Sequence, residues 1–134
     1  MRRAGGDGMS HPIIALQAAL VGAIRAALDT PIFDAPPRDA VAPYIAIARH
    51  DLRPRDGDGA PGHEHFLLLH VWAAQASRKT ALAIADEVIA LALALDCETL
   101  AITLRRHDRT DTAIDNATGR ARAAIALTFF SEPS

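Results

Sequence analysis

The sequence predicts an α+β domain: a single antiparallel sheet of two hairpins, in the order α-β-β-α-β-β, with two helices packed on one face. Three observations lead there. Two stretches repeat their apolar residues at helical spacing, four alternate with the period of two that strands show, and polar runs rich in Gly, Asp and Pro separate them. Strands joined directly through polar breaks pair as antiparallel hairpins, and helices on one face close the core of such a sheet.

The first helix is expected from Ser10 to about Leu28. Ser10 is a suitable N-cap, and Pro12 is tolerated in the first turn, where no backbone donor is missed. Ile13, Leu16, Leu20, Ile24 and Leu28 form its apolar stripe, and the alanines between them raise helix propensity. Asp29-Thr30-Pro31 ends it. Residues 32–43 form an extended connector in which Ile32-Phe33 can make a short strand before Pro36-Pro37 forbids regular structure.

Tyr44 to Arg49 is the first clear strand, with Ile45 and Ile47 pointing one way. Residues 51–62 mix Asp51, Arg53, Arg55, Asp56 and Asp58 with glycines and prolines, the composition of a long polar hairpin loop. In the next strand, Glu64 to Ala73, one face carries Phe66, Leu68, His70 and Trp72 and the other Leu67, Leu69 and Val71. Apolar side chains on both faces predict a central strand covered on both sides.

Ser77 caps a second helix that runs to about Leu95. Ala81, Ile84, Ala85, Val88, Leu91, Ala92 and Leu95 form its core stripe. A second apolar row, Leu82, Ile89 and Leu93, is interrupted only by Asp86. One stripe is enough to seat a helix on a sheet, so the extra row points to a neighbouring subunit. The chain closes with a strand from Leu100 to His107, in which Leu100, Ile102 and Leu104 face the core and Thr103, Arg105 and His107 face out. A polar loop at 108–119 follows, then a strand from Ala121 to Phe130 with Ala121, Ala123, Ile125, Leu127 and Phe129 on one face.

The chain has 134 residues, half of them hydrophobic and 22% charged, which suits one globular domain and argues against disorder. Residues 10–132 are expected to form it. Residues 1–9 are expected to be a disordered extension, with Met9 the natural start. Gly5, Gly6 and Gly8 separate Arg2-Arg3 from the apolar run, which argues against a signal peptide, and no segment approaches the ~20 apolar residues that cross a bilayer. A soluble protein made in the cytoplasm is expected. The net charge of -2 does not suit a dedicated nucleic-acid binder. The single cysteine, Cys97, excludes an internal disulfide and has no basic partner nearby to activate it, so it reads as a small semi-buried apolar residue.

Residues that carry chemistry are sparse. His63 and His65 share a strand face and could grip one metal ion, with His50 on the adjacent strand; His70 falls on the opposite face, and no second compact His or Cys pair completes a usual zinc site. The acids gather in loops, no glycine-rich phosphate loop opens a helix, and no Ser sits in a nucleophile elbow. The chain is therefore read as no enzyme, with no cofactor and no metal. Arg105, Arg106, Arg109, Arg120 and Arg122, interleaved with Asp108, Asp111 and Asp115, form either a solvated hairpin or a docking surface of mixed charge.

The whole series then carries a resemblance. A helix from Ile13 to Leu28 leads into Ile32-Phe33-Asp34-Ala35-Pro36-Pro37 and then Ala42-Pro43-Tyr44-Ile45-Ala46-Ile47. After a Gly/Asp loop comes His65-Phe66-Leu67-Leu68-Leu69-His70-Val71-Trp72, then an Ala-rich helix and two strands with a turn at 116–119. From about residue 10 to 132 the chain resembles the tail-completion, or tail-terminator, proteins of siphophages and of alphaproteobacterial gene transfer agents. Pro43-Tyr44 and Val71-Trp72 are the most distinctive matches. The resemblance implies a ring, commonly a hexamer, that caps the tail tube, stops its growth and offers a surface for joining the head. The implied partners are further copies of the chain, the tail tube protein and a head–tail connector protein, with DNA passing through the lumen without specific binding and no membrane contact. Its place would be the head–tail junction of a particle assembled in the bacterial cytoplasm. On that reading Leu82, Ile89 and Leu93 bury against the adjacent subunit. Arg53, Arg55, Asp56 and Asp58, with Arg105 and Arg109, contact tube or connector. The rival readings are another neck protein (a connector or stopper) and, from a different class, a small metal- or ligand-binding enzyme with His63, His65 and Asp51 at its site.

Overall fold

The computed structural model describes residues 11–56 and 61–134. The expected extension at 1–9, the start at Met9, the Ser10 cap and Asp58 lie outside them. Two helices, α1 (Pro12–Ala27) and α2 (Arg78–Leu93), pack with one sheet of five strands: β1 (Ile32–Phe33), β2 (Tyr44–Pro54), β3 (His63–Trp72), β4 (Leu100–Ile114) and β5 (Ala121–Pro133). The sheet order is β1-β2-β3-β5-β4. Both expected hairpins form, and β3 joins β5 antiparallel at the centre. The sheet is not purely antiparallel, because Ile32-Phe33 adds a fifth strand that pairs parallel with Ile45 and Ala46 of β2.

One core lies between the sheet and the helices. Leu16, Leu20 and Ile24 of α1 and Ala81, Ala85, Val88 and Ala92 of α2 are fully buried against Ile45, Leu67, Leu69, Val71, Ile125, Leu127 and Phe129. Much of the seam between α2 and the sheet is methyl groups: Ala81, Ala85 and Ala92 belong to the same cluster as Ala73, Ala121 and Ala123. The α1 N-cap is His11, whose Nδ1 accepts from the Ile13 N–H at 3.1 Å. Ser77 caps α2 by accepting from the Thr80 N–H at 3.1 Å, as its sequence predicts.

Three expectations are corrected. β2 runs on to Pro54, so only 55–62 connects it to β3; Arg53 lies in the strand. β4 runs on to Ile114, and its link to β5 is a tight turn in which Asp115 accepts from the Thr118 N–H and hydroxyl and Gly119 takes a φ of 71°. Both strand extensions are polar because their residues sit where few side chains cover them: Arg106 to Arg109 are all exposed. Finally, β4 carries register shifts between Ile102 and Leu104 and between His107 and Arg109. Thr103 is the extra residue of the first bulge, so Leu104 pairs with Phe130 on the open face while Arg105 pairs with Phe129 on the helix face. The alternation expected from the sequence is thereby inverted.

β3 is central, as its two apolar faces predict, but among the described residues the helices cover only one of them. His65, Leu67, Leu69 and Val71 are buried under the helices, whereas Phe66, Leu68, His70 and Trp72 are half-buried on a face that no helix crosses.

Candidate assembly surfaces and a buried polar chain

The second row on α2 emerges as an apolar surface interrupted by acid. Leu82 is 37% and Leu93 42% exposed, while Ile89 lies half-buried against the core. Asp86 and Glu87 are exposed beside them, and neither makes an ion pair among the described residues.

The charged residues expected to make one docking group divide into different roles. Arg105 Nε donates to the Leu95 carbonyl at 2.6 Å, just past the end of α2, and its guanidinium meets Asp96 at 3.0 Å. Cations there satisfy carbonyls that a helix end leaves orphaned. Arg109 is 74% exposed and paired with Asp111 at 2.8 Å on the open face. Arg106 meets Asp108, whose other oxygen accepts from the Thr128 hydroxyl at 2.6 Å. Burial pulls the Asp108 carboxyl upward, but those hydrogen bonds and the Arg106 charge leave it below its ordinary range. Arg122 sits beside Trp72 on the open face, 3.7 Å from Asp111, with its Nε buried and without a hydrogen-bond partner among the described residues. Arg53 and Asp56 are exposed near the β2–β3 connection, and the Arg55 guanidinium stacks 4.1 Å from the centre of the Phe130 ring. Arg53, Arg55 and Asp56 are thus grouped at one end of the sheet. Arg109 lies on the far edge strand, and Arg105 turns to the helix side.

The histidines form an arrangement that the sequence reading missed. Gln17 Nε2 on α1 lies 3.2 Å from His50 Nδ1 on β2, His50 Nε2 lies 2.9 Å from His65 Nδ1 on β3, and His65 Nε2 lies 2.8 Å from Ser131 Oγ on β5. An amide nitrogen only donates, so the chain runs one way: Gln17 donates to His50, His50 to His65, and His65 to Ser131. Both rings are then neutral. Burial, the largest cause, lowers the pKa of each to about 4. The Ser–His–His order is that of a nucleophile with its base, but Ser131 is 1% exposed and His65 0%, so no substrate reaches it. Both nitrogens of His65 are engaged, which leaves none to join His63 on a metal; no group of three or more His, Cys, Asp or Glu able to hold a metal occurs among the described residues. Asp51, the third residue of that rival reading, is paired with Arg49 on the opposite face of the sheet. The signal in the sequence was the separation of His50 and His65 on paired strands, but the bulge between Ile47 and Arg49, which turns His50 inward, carries no sequence signature.

Cys97 is half-buried with Sγ 3.7 Å from the Ala15 carbonyl, where it packs as a small side chain. No helix among the described residues is long and apolar enough to cross a membrane.

Among the described residues the distinctive features are thus surfaces open to contact and devices for stability. A family model for the tail completion protein gp17 matches residues 14–126, and the chain belongs to that family. It is a structural component of a phage-like particle and not an enzyme. Its fold is also that of a chain from the virion of a native gene transfer agent particle, with a TM-score of 0.78, 21% sequence identity, and coverage of 92% of this chain and 99% of that one. No curated protein sequence matches the chain.

Proposed function

We propose that the chain is one subunit of a hexameric ring that caps the tail tube and forms part of the head–tail junction of a phage-like particle or gene transfer agent. Membership of the tail completion family supports a place at the tail end. The observation that carries the ring is the apolar row left over on α2: Leu82 and Leu93 stay exposed although the core beneath the helix is closed. A head-to-tail ring asks each copy for two different patches, and this row is one of them.

On the same reading Arg53, Arg55, Asp56 and Asp58 meet the tail tube or connector, together with Arg109 on the far edge. DNA passes the lumen of a near-neutral subunit without being held. Deleting the gene and imaging the particles by electron microscopy tests the proposal. Overlong, unattached tubes are expected; normal particles reject it, and unattached tails of normal length would favour a connector or stopper instead. Shortening the 55–62 connection should leave rings intact while blocking head–tail joining, and an unchanged particle yield would remove that loop from the contact.

A further inference from the structure

We infer that the open face of the sheet is the second patch of the ring, and that it receives helix α2 of the next copy. The inference rests on the ring reading and says which two surfaces meet.

The open face is built to be covered. Phe66, Leu68 and Trp72 of β3 and Phe130 of β5 point to it and remain half-exposed, because both helices lie on the other side. A strand apolar on both faces is suited to burial on both faces, yet the described residues supply one layer of helices. Along β5 the open-face residues between Arg122 and Phe130 are small: Ala124, Ala126 and Thr128. They are nearly covered, at 5%, 6% and 4% exposed, by the larger side chains of β3 and β4 beside them.

The chemistry selects α2 and not another helix. Leu82, Asp86 and Leu93 lie along one stripe of the helix surface, apolar at both ends and acidic between. The open face offers the converse: the half-exposed Phe66, Leu68, Trp72 and Phe130 and, beside Trp72, the guanidinium of Arg122, 29% exposed and only loosely held by Asp111 at 3.7 Å. An open cleft of about 400 Å³ lined by Trp72, Arg122 and Asn116 lies at that end. α1 offers no such match, since Ile14, Ala18, Gly22 and Ala26 on its exposed side carry no charge. Seating α2 on the next sheet pairs Asp86 with Arg122, covers Leu82 and Leu93, and gives β3 its second cover. Helix layer and sheet layer then alternate from copy to copy.

Cross-linking and light scattering together test this. In a Cys97→Ser background, Leu82→Cys and Leu68→Cys are made singly and together, and each purified full-length chain is treated with a short bismaleimide. The double variant is expected to give a ladder of denaturant-resistant multimers up to the ring number, and each single variant none. Cross-linked dimers from a single variant would mean that a patch meets its own copy, and would overturn the inference. Separately, Asp86→Arg and Arg122→Glu should each shift the scattering mass of the native chain from ring to monomer, with circular dichroism unchanged, and the two together in one chain should restore the ring. A wild-type ring that forms no ladder and ignores both charge reversals overturns the docking alone. A wild-type monomer that forms no ladder overturns the ring reading as well.

Discussion

His50 and His65 face each other from neighbouring strands with Nε2 and Nδ1 2.9 Å apart and ring centroids separated by 5.1 Å, and the contact tolerates no added proton. Each ring already spends its one N–H as a donor down the chain toward Ser131. A second proton on His65 would set its Nδ1 donor against the His50 donor at the same position.

Acid should therefore loosen this domain earlier than its carboxylates alone would. Both rings have their pKa lowered from 6.5 to about 4 in the fold, by burial first. His50 also feels Asp51 and Asp34, which oppose the shift, and His11, which adds to it; His65 feels His50, His63 and His11. Between pH 6.5 and 4 the unfolded chain binds protons that the folded one refuses, so the contribution is fully present above about pH 6.5 and is lost as pH falls toward 4. The slope is about 1.4 kcal/mol per pH unit for each ring that must charge. Urea unfolding of wild type at pH 7 and pH 5 should show a fall that His65→Leu reduces by about half, since His50 remains buried, at the cost of lower stability at pH 7. An equal pH response in the variant would place the sensitivity elsewhere.

The arginines of the last hairpin should prove unequal. Arg105→Ala removes the donor to the Leu95 carbonyl and should cost about 1.5–3 kcal/mol, the usual range for a hydrogen bond involving a charged group. Arg109→Ala breaks an exposed pair with Asp111 and should change stability by less than about 1 kcal/mol. Chemical denaturation of the two variants side by side separates them; equal losses would contradict the capping role.

Gly62→Ala should weaken the β2–β3 hairpin. A Cβ there would stand 2.6 Å from the Arg55 carbonyl oxygen, which is backbone and cannot swing aside. The same two residues exchange a ladder bond, Arg55 N–H to the Gly62 carbonyl at 2.8 Å, so the strain falls on the contact that closes the loop. A loss of about 1–3 kcal/mol is expected by the scale of overpacking, with faster hydrogen exchange at Arg55. A neutral substitution would show that the connection shifts without resistance.

The helices and the inward residues of the central strands were legible because burial writes them plainly: Leu16, Leu20 and Ile24, or Leu67, Leu69 and Val71, are both periodic and fully covered. The strand ends were not, because residues such as Arg53 and Arg109 lie where a strand outruns its cover and polar side chains are the stable choice. There a ladder and a loop have the same composition. Bulges defeat sequence reading for a different reason: the extra residue at Thr103 reverses which side chains face inward without altering their type. Of the expected contact residues, Leu82 and Leu93 proved exposed, whereas Ile89 is partly spent on the core and Arg105 on a helix end.

The alanine seam under α2 has a mechanical consequence. Ala81, Ala85 and Ala92 share one buried cluster with Ala73, Ala121 and Ala123, so at these positions only methyl groups stand between helix and strands. Close-packed interiors compress little. A push on the outer side of α2 thus reaches the strands almost undiminished, and the subunit behaves as a thin stiff plate. Lengthening any one of those methyls would act as a shim, tilting the plate and with it every surface mounted on its two sides.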